Sequence, residues 1–299
     1  MTNPKRHHYL PQGYLEKFCR NDLLWVYDRE KKEYRDQTPK NTAVIGHYYS
    51  IILEDGSKNT KIEDPILSDL DGKAKIIIDK IDNKEHITHN EKDILSTFIA
   101  CLKVRVPSFE KLVNETLEDA FKKKFSTEQQ INEILKEYEA QTGTRLNIDP
   151  QKLMAIVHEE KYTFKHHRNE SILLMAGRIK KLVPLFLQMD WQFSYAPEES
   201  SFITSDNPFT VEPTGAGIGT KGSIKGVPLS QKSCLLIFDE GNRIDYHQLP
   251  KDKVRQINQA VAVNSDRFII GRDEALLKRL CRQIDPVSAL SKETALLQK

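Results

Sequence analysis

Apolar positions recur along this chain with two different periods, and the places where the period changes divide it into thirds. After Pro11, Tyr14, Leu15 and Phe18 have helical spacing. Leu23 to Tyr27 then reads as a strand rich in aromatic and branched side chains, Asp28 to Glu33 as a charged turn, and Tyr34 to Thr38 as the returning strand. Pro39-Lys40-Asn41 leads out towards His47-Tyr48-Tyr49-Ser50. From about 61 to about 187 the pattern changes to long amphipathic helices. The first runs from Lys61 to Lys80. Thr88-x-x-Glu91 has the form of a capping box, ahead of a stripe of Ile94, Leu95, Phe98, Ile99, Leu102 and Val106 that Pro107 ends. Thr127-x-x-Gln130 opens another helix that stops at Gly143, Asp149-Pro150 starts a further one, and the last runs from Ile172 to Pro184.

The last third alternates with the shorter period of strands. Trp191 to Tyr195, Ser201 to Thr204, Phe209 to Val211 and Cys234 to Phe238 are predicted strands, and the Pro-, Gly- and Ser-rich stretch Pro213 to Pro228 reads as a mobile loop. Asp239 to Asn242 is placed to turn Cys234 to Phe238 into a hairpin with Arg243 to His247. A helix over Lys251 to Val263, a strand over Arg267 to Gly271 and a helix over Asp273 to Cys281 complete the chain. The simplest assembly is α+β: a β-rich core built from both ends of the chain, with a large helical insertion in the middle. The expected divisions are 1–60, an N-terminal helix and hairpin of the core; 61–187, the insertion; and 188–299, the C-terminal part of the core.

Composition narrows the class. The 299 residues are 38% hydrophobic and 29% charged, with a mean hydropathy of −0.55, enough chain to bury a core unaided. No apolar run is long enough to span a bilayer, and Met1 to His8 lead into no hydrophobic signal region, so a cytoplasmic protein without membrane contact is expected. Cys19, Cys101, Cys234 and Cys281 form no Cys-x-x-Cys pair and are expected to be reduced and buried. The net charge of +2 does not by itself mark a nucleic-acid binder.

Two short motifs set hydrogen-bonding side chains against a proline: His7-His8-Tyr9-Leu10-Pro11 and Thr204-Ser205-Asp206-Asn207-Pro208. A histidine held by a carboxylate can act as general base and then acid near neutral pH. His8 and Asp206 are therefore the candidate catalytic pair, with Arg105 as a fork of donors for a phosphate or developing oxyanion and Asn207 assisting. His7, Ser205 and Ser230 would add hydrogen bonds to substrate, and Lys165 and Arg168 a basic contact. Such a set suits metal-independent phosphodiester cleavage without a cofactor. A metal version would add Glu63 or Asp71 to His8 and Asp206. His158-Glu159-Glu160 lacks the second histidine of the zinc-protease pattern, and the glycines from Gly215 to Gly222 lack the ending of a phosphate-binding loop. Each motif also has a structural reading: Ser-Asp-Asn-Pro is turn chemistry, His7-His8 could cap or pack at the start of the first helix, and Arg105 could edge an apolar stripe.

Basic residues crowd Lys161 to Lys181, with Tyr162 and Phe164 interleaved, and Lys122-Lys123-Lys124 lies between Phe121 and Phe125. A nucleic-acid backbone would be attracted to either group, but neighbouring Glu159, Glu160 and Glu170 favour a solvated helix face.

Blocks across the chain resemble a bacterial family known as domain of unknown function 4238. They are His8-Tyr9-Leu10-Pro11-Gln12 with Tyr14, Leu15 and Phe18; Leu24 to Asp28; Pro39-Lys40-Asn41; Tyr48-Tyr49-Ser50; Phe98-Ile99-Ala100 with Arg105 and Pro107; Thr204 to Pro208; Pro228-Leu229-Ser230; and Ile257-Asn258 with Arg267 to Ile269. Gly13 stands where such proteins often carry an aromatic residue. The resemblance implies a setting in mobile elements and antiviral defence, without a settled activity or cofactor. In that setting RNA is the expected phosphodiester, and the protein would be a toxin-like nuclease. The reading from another class is a non-enzymatic sensor or adaptor for a nucleic acid or phage protein, in which the histidine and aspartate fasten the N-terminus to the sheet.

Overall fold

The computed structural model describes residues 6–49, 51–52, 58–59, 67–163 and 168–284. In chain order these form β1 (Arg6–His8), α1 (Gln12–Leu15) continued by a 3₁₀ turn, β2 (Leu24–Asp28), β3 (Glu33–Gln37), β4 (Val44–Gly46), β5 (Ile51–Ile52) and β6 (Lys58–Asn59). The helices α2 (Ser68–Asp82), α3 (His89–Val104), α4 (Pro107–Lys124), α5 (Glu128–Thr142), α6 (Pro150–His158) and α7 (Arg168–Leu187) follow. The remainder is β7 (Met189–Tyr195), β8 (Thr204–Ser205), β9 (Thr210–Glu212), β10 (Ile224–Pro228), β11 (Ser233–Glu240), β12 (Ile244–Gln248), α8 (Lys251–Val263), β13 (Phe268–Gly271) and α9 (Glu274–Ile284). The fold is mixed α+β with its helices in the middle, as the periodicity predicts.

The chain divides into two compact units, 1–108 with 172–299, and 109–171. α2, α3 and the part of α7 from Ile172 on belong to the larger unit, where Ala74, Ile77, Ile78, Leu95, Phe98 and Ile99 are buried. In the smaller unit Thr127 caps α5, Gly143 closes it in the left-handed conformation at φ 69°, and Asp149 caps α6. Phe121 stacks on Phe125 and Tyr162, with ring centroids 4.5 and 5.3 Å apart.

Both ends of the chain build the four-stranded sheet of the larger unit, in the order β3-β2-β13-β8. Tyr27, Ile203, Val261, Ile269, Leu277 and Leu280 form one buried cluster, which packs α8 and α9 onto that sheet. A second sheet, β12-β7-β11-β10-β9, comes wholly from the last third. The buried Tyr14 ties α1 to both, since its hydroxyl meets the Thr204 hydroxyl at 2.7 Å and donates to the Pro228 carbonyl at 2.8 Å.

Five expectations are corrected. His7 and His8 lie in a strand, paired with Ile45 and Val44, rather than at the start of a helix. The stretch read as a loop to Pro228 contains β10, disguised by Lys225, which is buried within it, and by Gly226. A Cβ at Gly226 would come within 2.7 Å of the Thr210 hydroxyl, so the close approach of β9 requires glycine there. The predicted hairpin partner of β11 does not pair with it: β12 instead runs parallel to β7, with Ile244 opposite Trp191. The connection is held by Asp190, which accepts the Arg243 N–H at 2.7 Å and binds its guanidinium. α7 passes through Pro184 to Leu187 rather than ending there. Pro107 opens α4 rather than simply ending α3, because a first-turn proline needs no N–H partner. The first part of the predicted helix Lys61 to Lys80 lies outside the described residues, and its remainder is α2.

Candidate functional site

β1 places two adjacent histidines on opposite faces. His7 is buried and accepts the Tyr49 N–H on Nδ1 at 2.9 Å while stacking on the Tyr49 ring. His8 is half-buried, and its Nε2 is 3.2 Å from the Lys40 carbonyl. That contact makes Nε2 the protonated nitrogen of a neutral ring. Burial lowers the His8 pKa, the Lys40 carbonyl opposes this, and the Arg6 and Arg105 charges add to the lowering.

Arg105 follows α3 directly and is 2% exposed. Its Nη1 binds Asp71 at 2.9 and 3.2 Å, its Nη2 donates to the His8 main-chain carbonyl at 3.1 Å, and its Nε reaches the Tyr49 hydroxyl at 3.5 Å. Tyr49 in turn donates to the Arg105 carbonyl at 2.9 Å. Burial opposes the guanidinium charge, but Asp71 and Tyr49 outweigh it and hold the group protonated. The expected anion clamp is a strut joining α2, α3, β1 and the turn after β4.

Asp206 is also enclosed. Oδ1 accepts the Asp266 N–H at 3.0 Å, and Oδ2 accepts those of Arg267 and Phe268 at 2.8 and 3.0 Å. The carboxylate thereby fastens the end of β8 to the turn that enters β13. Burial pushes its pKa up to about 6 despite the three N–H groups. In place of the expected His8–Asp206 hydrogen bond, the imidazole faces the Lys40 carbonyl, and the carboxylate faces backbone. Asp71, whose pKa burial raises against the Arg105 charge, is the carboxylate nearest this network.

Asn207 completes the corner. It donates to the Asn264 carbonyl at 3.1 Å, and Asn264 donates back to the Asn207 and Phe209 carbonyls. Its Oδ1 is buried without a hydrogen-bond partner among the described residues. Ser205 Oγ accepts the Asn207 N–H at 3.2 Å. Ser230 lies in a different turn, donating to Asp82 at 2.7 Å beside Ser233, which donates at 2.6 Å. Lys165, the Arg168 side chain and Glu63 lie outside the described residues.

The structure therefore brings His7, the His8 backbone, Asp71 and Arg105 into one network, and Ser205, Asp206 and Asn207 into a second; Tyr9 lies between them, with Asp206 of the second and Tyr49 of the first both adding to the rise that burial gives its pKa. Gly13 lies against the Lys75 stem, where a Cβ would come within 3.2 Å of it, so a larger residue there requires the lysine, which forms a 2.6 Å ion pair with Glu16, to shift. Of the basic clusters, Lys122 is engaged by Glu118 and Glu160 at 3.4 and 2.8 Å. Among the described residues no group of three or more His, Cys, Asp or Glu side chains is arranged to hold a metal ion, and no helix is long and apolar enough to cross a membrane. All four cysteines are free, and Cys101, Cys234 and Cys281 are buried.

Missing from the sequence reading is a cleft between α8 and α9 that gathers Lys251, Arg255, Arg272, Arg279 and Arg282. The one available signal was helical spacing: Lys251 and Arg255 are four apart, and Arg279 and Arg282 three.

No curated protein and no solved structure matches the chain. The family model described as protein of unknown function (DUF4238) matches residues 6–275 and takes in both motif networks. The chain belongs to that family.

Proposed function

We propose that this protein is a binding component of bacterial antiviral defence, a sensor or adaptor that engages a nucleic acid, rather than a nuclease. The observation that carries the reading is how the motif side chains are used. Arg105 binds Asp71 and the His8 carbonyl, and Asp206 accepts three backbone N–H groups. General acid–base catalysis needs a group within hydrogen-bond reach of the reacting proton. These side chains reach the protein's own backbone. The defence setting rests on the family resemblance.

Incubating the purified full chain with total RNA, DNA and common nucleotides, with and without divalent ions, tests the reading. All substrates are expected to remain intact. Cleavage that disappears in a folded Asp206→Asn or His8→Ala variant would establish the nuclease instead. A host expressing the protein is expected to give fewer plaques across a phage panel, and unchanged counts would remove defence from the reading.

A further inference from the structure

α8 and α9 are packed onto the four-stranded sheet by Val261, Leu277 and Leu280. Their polar sides border a cleft of about 540 Å³, closed at one edge by Glu199 to Ser201. Its wall holds five cations and two carboxylates, Glu199 and Asp273, in a chain whose net charge is only +2. Positive charge is thus concentrated where a concave, low-dielectric surface focuses its field.

Three of the five cations are also unpaired among the described residues. Lys251, Arg279 and Arg282 are exposed and form no ion pair among the described residues, in contrast to Arg267 in the turn entering β13, which binds both Asp28 and Glu30 at 2.9 Å. Among the described residues Arg255 pairs only with the exposed Asp252. Arg272 Nε is buried without a hydrogen-bond partner among the described residues, and it forms a long ion pair with the Asp273 carboxylate at 3.5 Å. Asp273 is itself fixed, since its other oxygen accepts the Leu276 N–H at the start of α9 at 2.7 Å. Asn258, which also lines the cleft, accepts the Ile203 N–H and donates to the Ser201 carbonyl. These two polar side chains are therefore fixed, and the exposed arginines retain free donors.

We infer that this cleft binds a nucleoside phosphate, either free or at the end of a single strand. Guanidinium groups match phosphate oxygens with paired donors, which is the chemistry that Arg279, Arg282 and Arg272 supply. The volume is that of a small-molecule site and exceeds what a bare phosphate would fill. Val254, Leu276 and Leu280 give the same cleft an apolar wall for a base, and the rim carboxylate of Glu199 is an acceptor for a sugar hydroxyl or a base amine. A continuous duplex is disfavoured, because the positive charge is gathered in a concavity rather than along a stripe. This assignment names a ligand for the proposed sensor, but it stands on its own geometry.

Fluorescence polarisation with the full chain tests it, using a 5′-phosphorylated RNA hexamer, the same hexamer with a 5′-hydroxyl, and competition by a nucleoside monophosphate or inorganic phosphate. The phosphorylated probe is expected to bind at least tenfold more tightly than the hydroxyl probe. Arg279→Ala/Arg282→Ala, two exposed changes, should abolish that preference without moving the melting temperature. Competition by the monophosphate at lower concentration than inorganic phosphate would assign the base to the apolar wall; equal competition would reduce the site to one for phosphate alone and overturn the nucleoside assignment. Failure of every probe to bind, or an equal loss in Lys180→Ala/Lys181→Ala on α7, would overturn the cleft. Degradation of bound probe would instead overturn the non-enzymatic reading and leave the site standing.

Discussion

Arg105 and Arg279 are the same residue type in the same compact unit, used in opposite ways. Arg105 is enclosed and bonded to Asp71, Tyr49 and the His8 carbonyl, whereas Arg279 stands exposed at a cleft with no carboxylate bound to it among the described residues. The motif network resembles a site when written as a sequence because it is rich in polar side chains. In three dimensions Arg105, Asp206 and Ser205 are satisfied by neighbouring side chains and backbone, with Asn207 Oδ1 the exception among the described residues, so the network chiefly stabilises the fold. Capacity to bind resides where hydrogen-bonding valence is left over.

The contrast makes opposed predictions for the two regions. Arg105→Ala strands a carboxylate and a main-chain carbonyl and is expected to destabilise the protein most, by about 3–5 kcal/mol in denaturant unfolding. A loss near zero would mean that Asp71 finds water and that the strut is unimportant. Asp206→Ala removes the acceptor of three N–H groups and should cost about 2–4 kcal/mol, lowering the denaturant midpoint.

Asp206 also predicts a pH dependence. Its folded pKa of about 6 lies above the unfolded value, so the folded state holds the proton more tightly. Its contribution to stability is present below the unfolded pKa of about 3.9 and is lost as pH rises through about 6. The stability difference between the wild type and Asp206→Asn should change over that window and be flat above it; a flat difference throughout would show that the three N–H groups offset burial and leave the carboxyl at its unfolded pKa. Thr88→Ala, which removes the side-chain acceptor of the α3 cap, should cost about 1 kcal/mol. The smallest effect on stability, within about 0.5 kcal/mol, is expected for Arg279→Ala/Arg282→Ala, the pair with the largest expected effect on phosphate binding. Thermal melts and polarisation on the same samples would show whether stability and binding separate in this way.

Local chemistry was the legible part of the chain. Thr88 with Glu91, Thr127, Asp149 and Gly143 mark helix ends through contacts made within a few residues, and each is found where its spacing puts it. β2, β7, β11 and β13 were visible because they are rich in branched and aromatic residues, and β3 because it follows β2 across a charged turn. β1 and β10 were not, because their justification lies in distant partners. His7 and His8 are strand residues only because Val44 to Gly46 lie beside them, and buried Lys225 with Gly226 reads as loop until Thr210 comes close.

The sequence by itself determined the helix caps, the main strands, the α+β class with contributions from both ends of the chain, and membership of the family whose motifs it carries. Those properties depend on neighbours a few positions away or on the order of conserved-looking blocks. Tertiary structure decided the parallel placement of β12, the partners of Arg105 and Asp206, and the meeting of α8 with α9 that collects the cations. A hydrogen bond or an electrostatic field depends on distance in space, and residues as far apart as Asp71 and Arg105, or Lys251 and Arg279, have no spacing rule that relates them until the chain is folded.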